Sequence, residues 1–94
     1  MDDLSHHSIL VVETRLTPHV AHLQQALERV GAETVVARDA DTAQERCRQF
    51  KFSAAVVNVE HRALAEQLGL PYILYAPTEK ATAILATLAR LLYA

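Results

Sequence analysis

Four short β-rich runs alternate with stretches of helical periodicity, and this alternation constrains the fold more than any other feature. The runs are "SILVVE" at 8–13, "ETVVA" at 33–37, "AAVVN" at 54–58 and "PYILYA" at 71–76. Strands separated by helices imply parallel pairing with right-handed crossovers. With a single reversal of direction, the expected result is an α/β doubly wound parallel sheet of about four strands in the order 2-1-3-4, with helices on both faces. Ligands of such sheets bind beyond the strand C-termini at the switch point, here between strands one and three. The residues placed there are Glu13, Thr14, Asn58 and Val59.

The intervening stretches carry helix signals. Thr17 suits an N-cap and Pro18 the first helical position, where its missing N–H costs nothing. Val20, Leu23, Leu27 and Val30 form the inward stripe, and Gly31 stands where a terminating glycine belongs. The second helix is expected over 41–50, with Asp41 and Gln44 in capping-box spacing and Ala43, Cys47 and Phe50 inward. A short third helix, about 60–68, turns Leu64 and Leu68 inward and ends at Gly69. Thr78 is expected to cap a final helix over 79–94. Residues 1–7 read as a flexible lead-in and 8–94 as one domain.

Composition closes off several functions. Net charge is −2 with the signs mixed, and no basic stripe supports direct nucleic-acid binding. No apolar run approaches the roughly 18 residues of a membrane span. The opening "MDDLSHHS" is acidic and polar, unlike a signal peptide. The single cysteine, Cys47, excludes an internal disulfide framework and suits a reducing cytoplasm. Its place on a helix stripe predicts a buried, inert thiol.

Little chemistry is available at the expected crevice. Glu13 is its only carboxylate, and one carboxylate is a poor Mg²⁺ site. Asn58 can donate and accept hydrogen bonds but cannot attack a phosphoryl group. No glycine-rich loop follows strand one, so "ETRLTP" is no nucleotide fingerprint. Of five histidines, His6, His7, His19, His22 and His61, only His19 and His22 have helical spacing, and a metal site needs three or four convergent ligands. Solvent-exposed histidines, no metal and no cofactor are the expectation. Tyr72 and Tyr75 read as half-buried packing residues.

Residues 9–60, "ILVVETRLTPHVAHLQQALERVGAETVVARDADTAQERCRQFKFSAAVVNVE", followed by "AEQLGLPYILYA" at 65–76, resemble the receiver domains of two-component response regulators, the CheY-like members of the flavodoxin-like folds. The resemblance implies a phospho-acceptor module of five βα units, of which about one is missing here. The family's pair of metal-binding acids falls on Glu13, which keeps its charge, and on Thr14, which does not. The phospho-acceptor aspartate falls on Asn58, and the Thr or Ser that reads the phosphate on Ala76. The family's Lys-Pro pair has no clear counterpart. Aligning "YILYAP" to the fifth strand instead puts Ala76-Pro77 on that pair and again loses the lysine, and Lys80 cannot be placed in the site by spacing. What the resemblance implies is a degenerate, shortened pseudo-receiver that takes no phosphoryl group and catalyses nothing.

The final helix is unusually apolar. From Ala81 to Ala94 its polar residues are Thr82, Thr87 and Arg90. Ile84, Leu85, Leu88, Leu91 and Leu92 cover one wide side, Tyr93 interrupts the rest, and a missing βα unit would leave strand four as an open edge. This predicts a homodimer through the C-terminal helix and the strand-four edge, in a signalling module whose protein partner is not specified. Two other classes stay open. One is an atypical phospho-accepting receiver using Glu60 or Glu13. The other is a small-ligand or metal sensor at the Glu13–Asn58 crevice. The pattern also leaves room for an output domain downstream.

Overall fold

A computed structural model describes residues 3–15 and 17–93. The first two residues of the lead-in, together with Leu16 and Ala94, lie outside the described residues. The element order is β1 (Ser8–Val12), α1 (Pro18–Arg29), β2 (Glu33–Ala37), α2 (Ala40–Gln49), β3 (Ala54–Asn58), a 3₁₀ turn (Val59–His61), α3 (Arg62–Gln67), β4 (Tyr72–Tyr75) and α4 (Ala81–Tyr93). All pairs are parallel and the order is β2-β1-β3-β4. This is the doubly wound α/β sheet that the alternation predicts.

Each strand feeds both faces, so its side chains divide by parity. Ile9 and Val11 of β1, Ala54 and Val56 of β3, and Ile73 and Tyr75 of β4 join Leu23 and Leu27 of α1 and Ile84 and Leu88 of α4 in one core. Leu10, Val12, Ala55 and Val57 pack on the other face with Ala43 of α2 and Leu64 and Ala65 of α3. The two central strands, β1 and β3, are buried almost throughout. They carry the near-continuous Ala/Val/Leu/Ile runs expected of strands covered on both sides.

Several local expectations are corrected. Within residues 3–7, Leu4 is 1% exposed and its N–H donates to Val30 O at 2.7 Å, while Asp3 and His6 are exposed. Thr17 does occupy the N-cap of α1 with Pro18 following, but its side chain makes no capping bond. Asp39, not Asp41, caps α2, because its carboxylate accepts from Thr42 N at 2.7 Å and starts the helix at Ala40. Phe50 is 51% exposed and Phe52 takes the core position at 6%. The chain leaves the helix at Phe50, which is extended at φ −129 and ψ 149, so the helical stripe ends before it reaches this residue. Cys47 is half-buried, and burial pushes its thiol pKa up. Leu64 is buried as expected, whereas Leu68 only packs against the rim of its core.

Thr78 does not cap α4. It lies in a turn closed from both sides, with Glu79 N donating to Ala76 O at 2.9 Å and Ala76 N donating to the Glu79 carboxylate at 3.0 Å. The first bonds of α4 run from Ala83 N and Ile84 N to Lys80 O. The stripe expected to face a partner also divides. Ile84 and Leu88 are buried in the chain's own core, at 1% and 0% exposure, because α4 lies against α1 and β4. Leu85 and Leu92 pack partly against that core, and Leu91 and Tyr93 remain exposed.

Candidate functional site

Register brings three side chains into one row at the C-terminal end of the sheet. Val12 pairs with Val57, so Glu13 follows level with Asn58, and Asn58 pairs with Tyr75. All three belong by parity to the face covered by α1 and α4. Glu13 and Asn58 are the buried polar residues of the core, at 5% and 2% exposure, and Tyr75 is at 1%.

They form a closed hydrogen-bond network around the carboxylate. Glu13 Oε2 accepts from Asn58 Nδ2 at 2.7 Å and from the Tyr75 hydroxyl at 2.6 Å. Glu13 Oε1 accepts from Arg15 N at 3.2 Å. Asn58 Oδ1 in turn accepts from Glu60 N at 2.9 Å, which caps the 3₁₀ turn and fixes which side of the amide faces Glu13. A buried carboxylate is costly unless hydrogen-bonded, and here it has three donors. Burial pushes the Glu13 pKa up. The bonds from Tyr75, Asn58 and Arg15 N, with the nearby His61, outweigh that and hold it below its ordinary value. The Tyr75 hydroxyl is pushed the other way, by burial first and then by its bond to Glu13 and that carboxylate's charge.

Around this row the other candidate residues are dispersed. Thr14 is exposed at the crevice mouth, where its Oγ1 lies 2.7 Å from His61 Nε2 and joins the loop after β1 to the turn after β3. Ala76 is half-buried in the turn after β4, and Glu60 is exposed. A cavity of about 120 Å³ opens beside the network, lined by Glu13, Arg15, Thr17, His19, Asn58, Glu60 and Pro77. His19 also packs on Tyr75, with ring centroids 6.0 Å apart. His6 and His22 are exposed, whereas His7, His19 and His61 are half-buried. Among the described residues, no three His, Cys, Asp or Glu side chains are grouped to hold a metal ion. No described helix is long and apolar enough to cross a membrane.

Sequence reasoning missed Tyr75, which it treated as packing. Its register partner is Asn58, so the signal was a phenol one strand away from a residue already singled out. A buried Tyr hydroxyl needs an acceptor, and Glu13 was the only carboxylate assigned to the crevice.

No family model matches the chain, and no curated protein matches it either. Among solved structures it is similar to the Vibrio cholerae chemotaxis protein CheY4, crystallised at pH 4.0. The TM-score is 0.67 at 13% identity, covering 90% of this chain and 98% of that one. The fold is CheY-like. At this identity the likeness is one of fold. Within that CheY-like fold, the end of β3 holds an amide, and the end of β1 holds one carboxylate already bound to its neighbours.

Proposed function

We propose that the chain is a receiver-like signalling module that has no phosphoryl chemistry at its crevice and acts by binding protein, with a second copy of itself as the first partner. The observation that carries this reading is the Glu13–Asn58–Tyr75 network. Asn58 offers a neutral amide in place of a carboxylate, which is no nucleophile toward a phosphoryl group, and its Oδ1 is already engaged by Glu60 N. Glu13 is the buried carboxylate of the crevice and is occupied by internal donors, which weakens it as a Mg²⁺ ligand, and the other carboxylate lining the cavity, Glu60, is exposed. The partner surface is the outer face of α4 with the open edge of β4. Thr82, Ala83, Ala86, Arg90, Leu91 and Tyr93 are exposed there, with one charge among them, and β4 ends the sheet.

Incubation with an acyl phosphate and Mg²⁺, followed by intact mass measurement, tests the chemistry. The expected result is no stable gain of a phosphoryl group. A gain that disappears in Glu60→Gln moves the function to phospho-acceptance at Glu60, and a gain that survives it contradicts the proposal at another acceptor. Light scattering after size exclusion over a hundredfold dilution tests the partner: a dimer at low micromolar concentration is expected, and a monomer throughout removes self-association.

The cavity favours a second reading, a small-ligand sensor. Thermal-shift screening against divalent ions and nucleotides separates the two, because a sensor shifts with its ligand at millimolar concentration and a constitutive binding module does not.

A further inference from the structure

The five residues before β1 form a strap tied to the end of α1, the start of β2, the entry to β3 and the end of α4. Leu4 sits in the core on the α1/α4 side, its N–H bonded to Val30 O. His7 N donates back to Leu4 O at 3.1 Å, closing a turn in which His6 takes the left-handed φ of 72. This turn lies hard against the end of α1. Gly31 is itself left-handed at φ +92, and a Cβ there would stand 2.5 Å from Ser5 Oγ. His7 Nδ1 lies 2.9 Å from Ser53 Oγ at the entry to β3. His7 O accepts from Glu33 N, the first residue of β2, at 3.0 Å. A further tie is to α4: the Tyr93 hydroxyl donates to Asp3 O at 2.5 Å, and the Tyr93 and His7 rings meet edge-on at 5.7 Å.

Tyr93 therefore has two roles in conflict. Tyr93 is 53% exposed, on the surface assigned above to a partner, while its hydroxyl holds the strap. We propose that the strap, residues 3–7, is a conformational device that sets the state of this surface. Docked, it pins Tyr93 and the last turn of α4. A partner that draws the Tyr93 ring into its interface breaks the bond to Asp3 O and loosens the strap. By reciprocity, a loosened strap frees the last turn of α4 for that partner. The regulatory role rests on α4 being the partner surface, whereas the coupling between strap and helix rests on the contacts alone.

Amide hydrogen exchange of the full chain, read by mass spectrometry, tests the coupling. Tyr93→Phe removes one hydroxyl from an exposed ring, and exchange in residues 3–8 is expected to rise about three- to tenfold, with 9–12 unchanged. Leu4→Ala is expected to raise exchange in the last turn of α4 by a similar factor. Unchanged exchange at both sites would overturn the proposal. If Leu4→Ala also accelerates residues 9–12 the variant has loosened globally, and Tyr93→Phe decides alone. Dilution of the wild type and Tyr93→Phe in the scattering experiment then reads the regulation. A dimer constant shifted about threefold or more supports it, and coupled exchange with an unshifted constant rejects the regulatory role. A monomer throughout rejects that role by removing the α4 surface, and leaves the exchange result to judge the coupling.

Discussion

Leu88→Ala is expected to destabilise the chain by about 2–5 kcal/mol, while Leu91→Glu, three residues further along the same helix, leaves the folded monomer almost unchanged. Leu88 is fully buried among Leu23, Leu27 and Tyr75, so truncating it loses the transfer free energy of its methyl groups and leaves a cavity. Leu91 is exposed at the surface, where a carboxylate remains in water. The two variants separate the core side of α4 from its outer side. Denaturant unfolding should show a lower midpoint for Leu88→Ala at constant slope. Light scattering should show Leu91→Glu dissociating a dimer that the wild type keeps. Equal loss of stability in both would mean that α4 has no free side.

Tyr75→Phe is the second large effect, with an expected cost of about 1.5–3 kcal/mol at neutral pH, the range for a hydrogen bond to a charged group. The ring volume is preserved, so the loss measures the hydroxyl on Glu13 Oε2 and not the packing. Its pH dependence identifies the cause. The Glu13 pKa is lower in the folded chain than in the unfolded one. The network therefore stabilises the fold at pH values above the unfolded pKa, and this contribution is lost as pH falls through the folded pKa. The penalty of Tyr75→Phe should be full at neutral pH and shrink in the acid range below the ordinary value of 4.5. A penalty that is flat with pH would assign the loss to packing.

Much of the fold was legible because alternation and parity are local properties. Once β1 and β3 are recognised as neighbours, the order 2-1-3-4 follows, and Glu13 and Asn58 meet without any contact being known in advance. What escaped depended on where one periodicity gives way to another. Phe50 fits the stripe of α2 only if the helix continues through it, and the chain is already extended there. Leu4 was a single apolar residue in a polar segment, too little for any pattern to register, and its burial comes from the end of the α1/α4 layer. In α4, periodicity found a wide apolar side but could not divide it. Ile84 and Leu88 fall inward because both α1 and β4 press on them. Tyr75 reads in the sequence as a half-buried packing residue, and its full burial and its role depend on the register with Asn58, which a single chain read linearly does not contain.

The crevice network requires Glu13 to be a charged carboxylate held by its neighbours, and the titration of that group is the direct measurement. The carboxyl carbon of Glu13, followed by NMR against pH in the wild type and in Tyr75→Phe, reports that charge without reference to any partner. The predicted result is a midpoint below the ordinary glutamate value in the wild type that moves upward when the Tyr75 hydroxyl is removed. A wild-type midpoint at or above the ordinary value, unmoved by Tyr75→Phe, would contradict the network as the organising feature of the site.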